Sequence, residues 1–204
     1  MTSAALLFGY LGCMLFAAAV AARCARRYRF SPVARIGLVL GSAALVMVPV
    51  GELMIVEYLR AVIGDLSIVT QALLAAFLVG YVTERRLRDE RELCAVMVAA
   101  LAGAAFLYPA ALGLGGFDPY ALGYASLPFV AVLAALTVAA WYLRFEWLAA
   151  CLLVAVSARV AGVLESRNLW DYLIDPLLAL YAAFWLSRLA LRRFTPSAAA
   201  RSTP

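Results

Sequence analysis

Fourteen of the seventeen arginines in this chain fall in four places, at 23–35, at 85–91, at Arg144 and from Arg188 onward, and there is neither lysine nor histidine. Each place borders a long apolar run. Two further arginines, Arg60 and Arg167, fall in the alternate connections, and Arg159 lies inside a run. A cationic excess on every second connection is the mark of a polytopic membrane protein, because basic loops stay on the cytoplasmic side. A chain that is 67% apolar and 14% charged also departs from soluble domains, in which about a quarter of residues are charged.

The expected fold is therefore an all-α polytopic membrane protein. It has seven transmembrane helices, an outside N-terminus, a cytoplasmic C-terminus and short interfacial helices on the outer face. Residues 1–193 form one helical bundle and 194–204, rich in Ser, Ala, Thr and Pro, form a disordered cytoplasmic tail. The first run, Ala4 to Ala22, is followed directly by Arg23, Arg26, Arg27 and Arg29. Charge after the apolar run predicts an anchor with its N-terminus outside, not a cleaved signal. Ser31-Pro32 reads as an N-cap with proline at the first helical position, and the helix it opens is expected to run to Gly51 with a kink at Pro49.

Residues 52–63 follow a completed crossing and read as a short helix in the outer interface. The third span is capped by Asp65 or Ser67 and runs to Val82. The fourth covers Leu93–Leu114 with a bend at Pro109, the fifth Pro128–Leu143 and the sixth Trp147–Leu164. A short interfacial helix at 169–174 precedes the seventh, Pro176–Leu191. Asn168 with Asp171 resembles a capping box, and Asp175-Pro176 is a second N-cap with proline at N1.

Missing residue types exclude several functions. Without histidine there is no bis-histidine haem, no His-ligated zinc and no Ser-His protease pair. Without lysine there is no retinal Schiff base. The basic residues follow span ends and do not cover a polar surface, so nucleic acid is not an expected partner; membrane lipids are. Cys13, Cys24, Cys94 and Cys151 lack CxxC spacing and read as reduced, packed thiols. No resident cofactor or metal is expected.

Chemistry, if present, lies at the outer rim. Glu52, Glu57, Asp65, Asp118, Glu165, Asp171 and Asp175 gather there against Arg60 and Arg167, interleaved with Tyr58, Tyr120, Tyr124, Trp170 and Tyr172. Carboxylates beside aromatic faces suit sugars, cationic groups or a hard metal ion. Asp171 and Asp175, four apart, would share a helix face; capping explains both without an ion. Arg159, twelve residues into the sixth span, is expected deep in the hydrocarbon, snorkelling outward, paired with Glu52 or Glu165, or serving as an anion-binding group. Ser67, Thr70 and Gln71 are placed to hydrogen-bond across to Arg159 or to the final loop.

The residues favour a non-enzymatic subunit or binding protein of a bacterial inner membrane, presenting an acidic, aromatic periplasmic rim to a protein partner or to a glycan or lipid ligand. The alternatives are a membrane enzyme acting on a lipid-linked or phosphorylated substrate at the outer leaflet, and a small transporter. A bacterial source is suggested by the alanine-rich, arginine-only composition.

Overall fold

The computed structural model of the chain describes residues 3–194 apart from 86, 88, 115 and 125. The architecture is all-α, with nine α-helices among the described residues: α1 (Ser3–Ala25), α2 (Pro32–Leu45), α3 (Ile55–Ile63), α4 (Ile68–Thr83), α5 (Glu90–Ala111), α6 (Leu127–Tyr142), α7 (Glu146–Val160), α8 (Trp170–Leu173) and α9 (Pro176–Phe194). A single 3₁₀ turn covers Tyr120–Gly123. Of the expected disordered tail, 194–204, Phe194 is the last residue of α9 and 195–204 lie outside the described residues.

Helix starts follow local chemistry. Ser31 Oγ accepts the Ala34 amide at 3.2 Å with Pro32 at N1, and Ser67 Oγ accepts the Thr70 amide at 3.1 Å. Several ends are set by a left-handed residue one past the cap. Gly162 has φ +65°; its amide donates to the Arg159 carbonyl and the Val163 amide to that of Ala158, each at 3.1 Å. That double bond closes the last turn of α7 and stops the helix at Val160, four residues before the expected end. Gly113 ends α5 and Arg144 ends α6 by the same pattern.

Helix α2 is the larger departure from the expected spans. It stops at Leu45, and residues Pro49–Val50 and Leu53–Met54 pair as a minimal antiparallel hairpin around Gly51, φ +69°. The Ile55 and Val56 amides return to the carbonyls of Val48 and Val46 at 3.1 and 2.7 Å. The apolar run therefore turns back where a continuous helix was expected, and the short helix expected over 52–63 begins at Ile55.

Packing divides into a large core and two smaller ones. Met97, Leu107, Phe129, Leu133, Ala155, Trp170, Tyr172, Leu178 and Ala182 join α5 through α9. Ala18, Ala22, Leu78 and Tyr81 join α1 to α4, and Cys13, Val46 and Val56 seat α3 against α1. The outward faces are apolar as well: Leu7, Leu40, Phe106, Leu136, Trp141, Leu153, Leu180 and Phe184 are all exposed, on six different helices. Two helical segments, Ala4–Ala25 and Glu90–Ala111, are long and apolar enough to cross a membrane. α2, α4 and α6 are apolar but span 14, 16 and 16 residues, short of the roughly 20 that a full crossing takes.

The two ends of the bundle differ. At one, here termed the arginine end, Arg35 pairs with Glu84 and its guanidinium donates to the Tyr81 carbonyl. Glu92 there accepts the amides of Glu146 and Trp147 at the start of α7, at 3.0 and 3.1 Å. The other, the rim end, holds the start of α1, the α3–α4 junction, the 3₁₀ turn and the segment 161–176.

Candidate functional site

At the rim end the N-termini of α4 and α9 face one carboxylate. Asp175 is 4% exposed. Its Oδ1 accepts the Leu178 amide at 2.9 Å, capping α9, while Oδ2 accepts the Ser67 amide at 3.0 Å and the Thr70 hydroxyl. Two helix N-termini, each carrying partial positive charge, compensate the buried negative group, and among the described residues no arginine pairs with it.

The second cluster lies between α1, α3 and the final loop. Arg60 binds Asp65 through two nitrogens, at 2.5 and 2.8 Å, and reaches Glu165 at 3.4 Å. The hydrogen bond that Arg60 donates to Asp65 and the nearby carboxylates hold the guanidinium's pKa above its ordinary value against an opposing effect of burial. A Cβ on Gly9 would lie 2.7 Å from Asp65 Oδ1 and 2.8 Å from Arg60 Nε, so only glycine leaves room for this pair against α1. Glu57 accepts the Met54 amide at 2.7 Å and the Tyr10 hydroxyl at 3.0 Å. Leu6, Tyr10, Glu57, Arg60, Asp65 and Glu165 line an open groove of about 510 Å³.

The third cluster ties the 3₁₀ turn to the final loop. Asn168, fully buried, donates to the Tyr120 carbonyl at 2.8 Å and accepts the Trp170 amide at 3.0 Å. Tyr120 donates to Asp171 Oδ2 at 3.0 Å. Burial, and then that bond and the Asp171 charge, push the Tyr120 phenol up to about 12. Asp118 accepts the Tyr120 amide within its own turn at 2.9 Å.

Several expected site residues sit differently. Trp170 and Tyr172 are core residues, 6% and 0% exposed, and not part of an aromatic rim. Their polar tips find backbone partners, which lets the rings bury. Trp170 Nε1 donates to the Pro119 carbonyl at 2.9 Å, and the Tyr172 hydroxyl accepts the Leu164 amide at 3.0 Å and meets the Ser166 carbonyl at 3.1 Å. Tyr58 and Tyr124 do remain exposed.

Asp171 and Asp175 do not share a helix face, because Ile174 is extended and breaks the chain between them. Asp171 turns to Tyr120 and Asp175 to α4. Asn168 and Asp171 do not form a reciprocal capping box, since the Asp171 carboxylate is taken by Tyr120. Among the described residues no three His, Cys, Asp or Glu side chains converge as a metal-ligand set.

Arg159 is paired with neither Glu52 nor Glu165. The described ion pairs are Arg35–Glu84, Arg60–Asp65, Arg60–Glu165 and Arg144–Glu146. Arg159 instead donates from Nε to the Arg167 carbonyl. The early stop at Val160 places it in the last turn of α7, where a cation also meets the negative end of the helix dipole. Glu52 is exposed in the hairpin turn, and the Arg167 side chain is exposed in the final loop.

No protein-family model, no curated protein and no solved structure matches the chain.

Proposed function

We propose that this is a multi-pass inner-membrane protein of a bacterium, a non-enzymatic subunit or binding protein whose rim end faces the periplasm and receives a protein partner or a glycan or lipid ligand. Apolar side chains exposed on six helices support the embedding, since outward apolar side chains in that number are what lipid covers and water does not. Seven crossings follow if α1, α2, α4, α5, α6, α7 and α9 all span. The four shorter ones would reach roughly 21–24 Å at 1.5 Å per residue and complete the crossing with interfacial segments or local thinning. The fourteen arginines of the four basic places orient the arginine end to the cytoplasm.

The observation that carries the functional reading is the fate of the rim carboxylates. Glu57, Asp65, Asp118, Asp171 and Asp175 all accept hydrogen bonds from this chain's own backbone or side chains. Acid–base chemistry needs a carboxyl group free to exchange its proton with a substrate; these are used to lock helices into a fixed rim. A rigid rim beside an open groove suits recognition.

Native mass spectrometry of the protein extracted gently from its own membrane tests this. A co-purifying protein, or a stoichiometric unmodified lipid or glycan, supports it. A bound substrate that is converted to product on incubation would overturn it in favour of an enzyme.

A further inference from the structure

The segment 23–29, from the last turn of α1 into the loop before α2, holds Arg23, Arg26, Arg27 and Arg29 with exposed side chains, and the first acidic residue of the sequence is Glu52. Arg35, the fifth arginine nearby, is already taken by Glu84. The segment 84–92, across the α4–α5 junction, is different: it contains four arginines and four acids and so carries no net charge. Between Arg27 and Phe30 cation and aromatic alternate. Tyr28 and Phe30 are 54% and 38% exposed, with ring centroids 5.9 Å apart. The Arg27 guanidinium stacks 5.0 Å from the Tyr28 ring, and Arg26 stacks 4.9 Å from Phe77, fixing the base of the loop to α4.

We infer that this loop is a binding site for anionic phospholipid. Unpaired guanidinium groups bind phosphate oxygens in a bidentate fork, and an exposed aromatic pair beside them rests at headgroup depth, where tyrosine is favoured. The charge balance selects the lipid class: four cations with no carboxylate in the segment repel a cationic ligand and gain little from a zwitterionic one. Arg188 and Arg192 form another acid-free group, but they stand about one turn apart within α9. They serve as the charge-matched comparison.

The inference rests on the membrane reading, which alkaline carbonate extraction tests separately. Release into the supernatant would overturn both; retention leaves the lipid test decisive. The full chain in neutral detergent is titrated with phosphatidylglycerol and with phosphatidylcholine, following lipid binding by native mass spectrometry.

Phosphatidylglycerol is expected to bind preferentially. The double variant Arg27→Gln, Arg29→Gln should lose affinity by on the order of thirtyfold, from the contribution of each surface arginine. Arg188→Gln with Arg192→Gln should lose much less. Among the described residues Arg27 and Arg29 make no ion pair or hydrogen bond, and Tyr28→Ser with Phe30→Ser, which keeps every charge, provides a second variant expected to weaken binding. Equal binding of the two lipids, or equal loss in the loop and α9 variants, would overturn the inference. So would binding of inorganic phosphate or of polyglutamate as strong as that of phosphatidylglycerol, the first pointing to a free anion and the second to an acidic protein.

Discussion

The amide of Ser67 donates to Oδ2 of Asp175 at 3.0 Å, across 108 positions of sequence. That bond, with the Thr70 hydroxyl and the Leu178 amide on the same carboxylate, makes one side chain the cap of two helices. Asp175→Ala should therefore destabilise the protein by on the order of 3 kcal/mol, because it strands buried donors at both helix starts. Asp175→Asn, which keeps an acceptor, and Thr70→Val should each cost about 1 kcal/mol. Denaturant melts in mild detergent check the ranking. Equal costs for Asn and Ala would show that the carboxamide cannot replace either cap.

Gly123 and Gly37 should respond oppositely to the same substitution. A Cβ at Gly123 would lie 1.7 Å from Asn168 Oδ1 and 2.7 Å from Trp170 Cδ1, whereas one at Gly37 meets nothing within 4 Å. Gly123→Ala must displace Asn168 and the bonds it makes to Tyr120 and Trp170, at a cost of roughly 1–3 kcal/mol. Gly37→Ala, in the middle of α2, should be neutral or stabilising by up to about 1 kcal/mol. Thermal unfolding of both variants decides it.

Tyr120 gives the fold an alkaline limit. Its folded pKa is raised, so its contribution is fully present below the unfolded value near 10 and is lost as pH climbs through about 12. Wild type should lose stability relative to Tyr120→Phe over that window, and the two should run parallel at neutral pH. A difference that stays constant up to about pH 12 would remove the Tyr120–Asp171 bond from the account.

Arg159 should be less important than its depth in the sequence suggests. With its bond directed to the Arg167 carbonyl, Arg159→Gln is expected to cost about 1 kcal/mol. Glu52→Gln should add nothing, and the double variant should be additive. A coupling energy well outside additivity would restore the pairing with Glu52.

The contrast between Arg159 and Asp175 shows what the sequence reveals. Helix starts are written in single residues: Ser31-Pro32, Ser67 and Asp175-Pro176 each cap where local chemistry requires. The all-α class is equally visible, because long apolar runs of helical length need no tertiary information. Helix ends inside apolar stretches are harder. Hydropathy is continuous through Val46–Pro49 and Ala158–Leu164, although α2 gives way there to the hairpin around Gly51 and α7 closes on the positive φ of Gly162. Gly162 was the available signal for the end of α7, and reading it as a C′ glycine would have moved Arg159 to the last turn. Burial of Trp170 and Tyr172 was not legible, since their partners, the carbonyl of Pro119 and the backbone of Leu164 and Ser166, are set by folding.

Orientation in the membrane is the claim on which the account most depends, and labelling with a membrane-impermeant maleimide tests it directly. Cys24 is exposed at the arginine end and Cys13 and Cys151 are buried; with Cys94 replaced by alanine, a Glu52→Cys variant adds one exposed thiol in the hairpin at the rim end. In intact spheroplasts the account predicts labelling at position 52 and none at Cys24 until the membrane is permeabilised. Labelling of Cys24 before permeabilisation, or of both positions together, would contradict it.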